Sequence, residues 1–510
     1  MPADPPEDVT DLVRIASDFD ARRDVRAAAE AWSRAHVRAP TRPEIRLGYA
    51  QSLIRAARPG DALPLLEALI AMPGAPAAAW LAYGVALALL DRYREALRAC
   101  ERATAMAPGI CEVHLGHGDV LYRSGDWAGA RRAYERAHEI APDHPDVLGK
   151  LAHIAHIRKE RPKARALLER ALAQSPSHPT TRYNFAVLAV LDGRVEEARR
   201  EVEALLAMPG LDREMHTTAL ETLALLDERD RLAAPVADAL ARDDVDPLAE
   251  ALRREPGSPL TDNALADAMR EMVDRAANAA PIDHAFAPRS DRSGRWHAIE
   301  SHLAFRTSRG APALERDLRL VASGIAPADS VDDDVVRHAC AVKSRPANRP
   351  PEDALALDAW LRLAHARLLA HRVECWPGFY KPTHSTQLAG SAHARVSPPY
   401  VSGTVRTILP EITRRLPPGG WRATLVLAAI LLIHPFVDGN KRLARFIANG
   451  ELEAAGLMPH MHSPGKVRKL LHLAIEARER RDAEPLATWL AAASRESARF
   501  DAEWAAGTLR

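Results

Sequence analysis

Residues 433–445 read Ile-His-Pro-Phe-Val-Asp-Gly-Asn-Lys-Arg-Leu-Ala-Arg, a dense set of groups able to do chemistry together. His434 can accept a proton near neutral pH, because a free imidazole titrates at about 6.5. Asp438 offers a hard oxygen ligand suited to Mg²⁺. Gly439 and Asn440 let the backbone turn tightly, and the residues after them are expected to start a helix. The free N–H groups and dipole of such a helix attract phosphate. Lys441 adds a flexible cation at the turn. Arg442 and Arg445, three residues apart, project from one side of the first helical turn. A proton acceptor, a metal ligand, an anion nest and phosphate-gripping cations fit phosphoryl or nucleotidyl transfer, where positioning and charge neutralisation supply most of the catalysis. Taken singly, each residue would be a turn, a cap or a surface ion pair; the set in one short stretch carries the reading.

These residues need a rigid mount, and the apolar run from Ala423 to Ile433 directly before them supplies one as a buried helix. At that length it is too short to span a bilayer, which takes roughly 20 apolar residues. Segments on either side, such as ALALDAWLRLAHARLLA and EPLATWLAAASRESARF, carry apolar residues three and four apart and predict helices. Residues 377–399, PGFYKPTHSTQLAGSAHARVSPP, break that period and read as a short β-hairpin flap. The second domain is placed at 291–510.

The first 212 residues follow a different logic. Small residues recur every 34 positions at Ala16, Ala50, Gly84, Gly118, Ala152 and Ala186, and a second set follows each by twelve, at Ala28, Ala62, Ala96, Ala130, Ala164 and Ala198. Proline closes each unit, as at Pro108 and Pro142. Self-similarity of this kind implies six helix pairs, with the small residues where two backbones cross closely. Residues 213–290 read as capping helices and a linker, their periodicity helical but without the small-residue signature.

The repeat resembles the tetratricopeptide (TPR) family, which implies a superhelical surface for a protein partner. The familiar clamp for acidic carboxyl termini needs paired asparagines and lysines. With Asn184 the one asparagine and Lys150, Lys159 and Lys163 the three lysines in residues 1–212, that use is not expected. Stacking that positions a neighbouring domain or mediates homodimerisation is the plainer alternative.

The loop resembles the Fic (Fido) family signature, His-Pro-Phe-x-Asp/Glu-Gly-Asn-x-Arg-x-x-Arg, at every specified position. GFYK at 378–381 and the Pro398-Pro399 pair extend the likeness into the flap. The resemblance implies an all-α chain, a TPR superhelix followed by a helical Fic domain with a small hairpin flap. It implies that His434 deprotonates a hydroxyl on a target protein and that Asp438 binds Mg²⁺. Gly439, Asn440, Lys441, Arg442 and Arg445 would hold the phosphates of ATP, and the flap would align the target segment as an added strand. The activity implied is transfer of AMP to a protein side chain. Lys441 stands where glycine is commonest; lysine there also occurs in the death-on-curing branch, which implies phosphate transfer instead. A non-catalytic scaffold that only binds nucleotide is the third reading. The inhibitory motif of many relatives ends in Glu-Gly or Glu-Asn, and neither dipeptide occurs in this sequence.

Composition excludes other classes. The 69 basic and 68 acidic residues nearly cancel, so no bulk attraction draws the chain to nucleic acid or anionic membrane. Cys100, Cys111, Cys340 and Cys375 are scattered without zinc spacing and read as reduced thiols. The acidic, proline-rich start MPADPPEDVTDL is unlike a signal peptide, and the expectation is a cytoplasmic protein without a membrane span.

Overall fold

The computed structural model describes residues 8–21, 24–158, 160–211, 213–289, 296–305, 311–324, 331–344, 350–372, 376–382, 396–460 and 467–509. Among them lie 24 α-helices, one 3₁₀ turn and no β-sheet. Extended pairing is limited to two isolated antiparallel bridges, Pro288 with Leu457 and Tyr380 with Phe436. No helix among the described residues is long and apolar enough to cross a membrane. The chain divides into two compact units, the first taking described residues up to Ala189 plus Glu196–Leu220 and the second Val190–Val195 and the described residues from Glu221 on.

The first unit contains the helix pairs that the repeat predicts, from Val9–Ala21 with Val25–Arg38 through Pro145–Ile157 with Arg161–Gln174 and on to Val195–Leu206. Successive pairs also pack on one another. The small residues sit at the crossings: Ala16, Ala28, Ala50, Ala62, Ala96 and Ala130 are all fully buried. Glycine is required where the partner is bulkiest. A Cβ on Gly84 would lie 2.6 Å from Cys100 Sγ, and one on Gly118 would lie 2.4 Å from the Tyr134 ring. Tyr134 in turn anchors the crossing by donating its hydroxyl to Asp119 at 2.7 Å.

Two expectations concern the second unit. The stretch from 221 to 290 is part of the second unit, because its helices carry core residues. Leu232, Val236, Leu248 and Leu252 form one hydrophobic cluster with Ala356, Ala359, Leu363 and Ala366 of the helix Ala354–Leu369. The helix Asn263–Asn278 likewise packs on Pro398–Arg415. The hairpin flap is not found among the described residues, and 383–395 lie outside them. The Pro398-Pro399 pair opens the helix Pro398–Arg415, a position where proline's missing N–H costs no intrahelical bond.

The expected mount is the helix Gly420–Ile433, in which Ala423–Ile433 are all buried. An α-helix apolar on every side has to lie at the centre of its unit, and this one packs on the helices Pro398–Arg415, Asn440–Ala454, Val467–Arg480 and Glu484–Ala505.

Candidate functional site

The mount ends because its next residues cannot continue it. Pro435 lacks an N–H and disfavours the right-handed helical conformation at the residue before it. His434 accordingly leaves the helix in the left-handed region, at φ 51° and ψ 60°, while its N–H still caps Ile430 O. The chain then runs through Pro435–Asp438 and turns at Gly439, with φ 80°. A side chain there would meet Leu369 Cδ1 at 2.3 Å, so this glycine is demanded by space as well as by backbone angle. The helix Asn440–Ala454 starts at once, with its first turn beside His434 and Asp438 in the chain.

The seven residues singled out in the sequence thus fall on one loop and one helix start, but with unequal exposure. Asp438 and Lys441 are exposed, His434 and Arg442 are half-buried, and Gly439, Asn440 and Arg445 are buried. Asp438 Oδ1 accepts the Gly439 N–H at 2.7 Å, which folds the carboxylate over the turn. Asn440, expected from the resemblance to touch phosphate, turns its amide inward. Its Oδ1 accepts the Phe436 N–H at 2.9 Å, and its Nδ2 donates to Phe436 O at 2.8 Å and to His434 Nδ1 at 3.0 Å. Both amide hydrogens are used inside the loop.

Arg442 lies over the Phe305 ring, 5.2 Å from its centroid, and donates from Nη1 to Asp334 Oδ1 at 3.0 Å. Asp334, 5 % exposed, also accepts from His371 Nε2 at 3.0 Å and Arg372 Nη2 at 2.7 Å. Three nitrogen bases therefore converge on one buried carboxylate beside the motif helix, a charge-assisted cluster of the strong kind. An acid does meet a motif arginine here, although the inhibitory dipeptide is absent: Asp334 on Arg442, from the helix Val331–Ser344.

The loop rests on residues that sequence reasoning did not single out. His365 stacks on Phe436 with ring centroids 3.7 Å apart and planes 6° from parallel. Its Nδ1 accepts the Gly378 N–H at 3.1 Å, so its Nε2 carries the hydrogen that it donates to Asp438 O at 2.9 Å. Burial pushes this imidazole down to about 4, against a smaller opposing effect of the bond to Asp438. A neutral ring with a fixed tautomer therefore joins the segment at Gly378 to the motif loop. The Lys381 N–H to Pro435 O bond, at 2.9 Å, ties the same two segments.

Behind His365 stands a buried ionic cluster. Arg362, 1 % exposed, donates from Nε to Asp358 Oδ1 at 2.8 Å and from Nη2 to Glu228 Oε1 at 2.7 Å. The Tyr380 hydroxyl donates to the same Asp358 oxygen at 2.8 Å, and the Tyr380 ring lies 3.8 Å below the guanidinium. Burial by itself would lower the basicity of Arg362, but the carboxylates of Asp358 and Glu228 outweigh it and hold the group cationic. Burial and then the Asp358 charge drive the Tyr380 hydroxyl well above the usual phenol range. Asp358, Arg362 and His365 lie four and three apart on one helix, a polar stripe inside the otherwise apolar ALALDAWLRLAHARLLA that was available as a signal.

Comparison with known proteins agrees with the division. Tetratricopeptide-repeat family models match residues 50–109, 109–177 and 158–219, and the Fic/DOC family model matches residues 357–452. No curated protein matches the chain. Similar solved structures include a thermophilic TPR protein of Thermus thermophilus, 21 % identical over 36 % of this chain and 100 % of that one, with a TM-score of 0.35. Another is pilF of Pseudomonas aeruginosa, 16 % identical over 41 % of this chain and 95 % of that one, with a TM-score of 0.32. The family models thus place tetratricopeptide repeats in residues 50–219 and a Fic/DOC domain in residues 357–452 of this chain.

Proposed function

We propose that the second unit moves AMP from ATP to a hydroxyl side chain of a target protein, and that the repeats recruit that target. The observation that carries this reading is the loop itself. It sets His434, Asp438, the N-terminus of Asn440–Ala454, Lys441 and the two arginines on one short turn anchored to a buried helix. His434 takes the proton of the attacking hydroxyl, whose oxygen then bonds to the α-phosphorus as the bond to the pyrophosphate leaving group breaks. First-turn N–H groups, Lys441, Arg442 and Arg445 neutralise the phosphates.

Asp438 fits a Mg²⁺ that arrives with the nucleotide. Mg²⁺ keeps several waters and takes phosphate oxygens, so one or two exposed carboxylates suffice and a protein cage is not needed. Asp438 is exposed, and among the described residues no cluster of three or more acidic, histidine or cysteine ligands occurs. Bound there, the ion would neutralise charge on the phosphates.

A second reading keeps the enzyme and changes the group transferred. Lys441 is exposed at the second position of the motif helix, where a cation could obstruct the usual seat of the terminal phosphates and favour a reversed nucleotide. The γ-phosphate would then face His434, and phosphate rather than AMP would be moved.

Calorimetry with Mg²⁺-ATP tests the division of labour within the site. His434→Ala should bind nucleotide as the unaltered chain does while transfer is abolished, because the imidazole meets the hydroxyl. Asp438→Ala should weaken Mg²⁺-dependent binding as well. Equal loss of binding in the two variants would refute these roles.

A further inference from the structure

The bond between Asn440 and His434 determines more than loop shape. An amide side chain can be built with its oxygen and nitrogen exchanged, so its orientation has to be argued from its partners. Here the partners decide. The Phe436 N–H can only donate and the Phe436 carbonyl can only accept, and they meet Oδ1 at 2.9 Å and Nδ2 at 2.8 Å respectively. Exchanging the two atoms would set donor against donor and acceptor against acceptor. The nitrogen is therefore the atom 3.0 Å from His434 Nδ1, and an amide nitrogen has hydrogens to give and no lone pair to offer. His434 Nδ1 has to be the acceptor.

From this we infer that Asn440 is a positioning residue that fixes His434 as the tautomer with hydrogen on Nε2. A neutral imidazole has one N–H and one lone pair, and the lone pair here is the one Asn440 covers. An imidazolium would point an N–H at the amide hydrogens and is excluded from this arrangement. The ring in this state offers a hydrogen from Nε2 and can take one at Nδ1 alone. For His434 to accept a hydroxyl proton, the Asn440 N–H must first give up Nδ1, after which the hydroxyl O–H bond breaks and the N–H bond forms. Asn440 couples that release to the loop, since its other hydrogen and its oxygen hold the Phe436 backbone. With Asn440 2 % exposed, solvent does not stand in for these bonds. The proton-accepting role of His434 rests on the transfer reading above; the tautomer does not.

The test is nitrogen NMR on the full chain labelled with ¹⁵N-histidine, recorded above the pH at which free histidine titrates. The His434 signal is identified by its loss in His434→Gln. The expected pattern is a protonated Nε2 and an unprotonated, hydrogen-bonded Nδ1; a protonated Nδ1 would overturn the inference. Asn440→Asp replaces the donor with an acceptor, so in a folded variant the pattern should invert to hydrogen on Nδ1. An unchanged pattern in folded Asn440→Asp would show that Asn440 does not set the tautomer. If that variant fails to fold, the unaltered chain still decides, because its own spectrum contains the predicted state. Since the readout needs no turnover, an inactive protein with hydrogen on Nε2 would contradict the transfer reading and leave this inference standing.

Discussion

The two units bury different things. Among the described residues, only Ser52 and Thr181 of the fully buried polar side chains lie in the repeats, whereas the second unit buries Asp334, Asp358, Arg362, His365, Asn440, Arg445 and Asn449. The repeats gain order from steric fit: alanine or glycine at each crossing, tyrosine or leucine around it. The second unit holds its loop by fixed donors and acceptors, which specify one geometry only when every partner is present. The repeats are built to present a surface, and the second unit to hold a loop still.

The sharpest way to break this contrast is to remove a charge that the second unit buries. Arg362→Ala leaves Asp358 and Glu228 without their shared cation, and losing one partner of a buried pair costs about 3–5 kcal/mol. Urea unfolding should show that loss in the transition of the second unit, with Tyr380 and the motif loop disordered in consequence. A loss below about 1 kcal/mol, the range of exposed pairs, would mean the cluster is solvated and does not hold the loop.

Steric order in the repeats should be cheaper to disturb. Gly118→Leu drives a side chain into the Tyr134 ring, and overpacking of this kind costs roughly 1–3 kcal/mol. Thermal unfolding of the variant should fall accordingly, with nucleotide binding by the second unit preserved. An unchanged melting temperature would contradict the assigned crossing.

A further effect, of comparable size, is one of pH. His153 in the repeats is held at about 4 by burial first and by His156 and Lys150 after it, and it shares a 2.8 Å hydrogen bond with the Tyr122 hydroxyl. Between about 6.5 and 4 the unfolded chain takes up a proton here that the folded chain refuses. Stability from this group is therefore complete above about pH 6.5 and is lost as pH falls toward 4, by on the order of 1–3 kcal/mol. His153→Phe should flatten that part of the urea-midpoint profile; an identical profile would place the acid sensitivity elsewhere.

How much of this was legible in the sequence follows from the range of the interactions. The repeat could be read because each crossing depends on residues twelve apart, and the motif loop because its groups are contiguous. Asp334 could not, since it meets Arg442 across 108 residues and sits in an Asp332-Asp333-Asp334 run that resembles any acidic helix start. The stripe of Asp358, Arg362 and His365 was visible in principle, but apolar periodicity alone does not say that a polar stripe is buried. In the span 213–290 the sequence shows only the loss of the repeat signature, because core partners such as Ala359 and Leu363 lie over 100 residues away in the chain.

The central claim is that chemistry belongs to the loop at His434 and Asp438, with AMP as the group moved. Offering the full chain ATP labelled at the α- or the γ-phosphate, with Mg²⁺ and a cell extract as a source of target, tests it most directly. The account predicts protein labelling from α-labelled ATP alone, abolished in His434→Ala. Labelling from γ-labelled ATP alone would make the protein a phosphotransferase, and no His434-dependent labelling from either would contradict catalysis at this site.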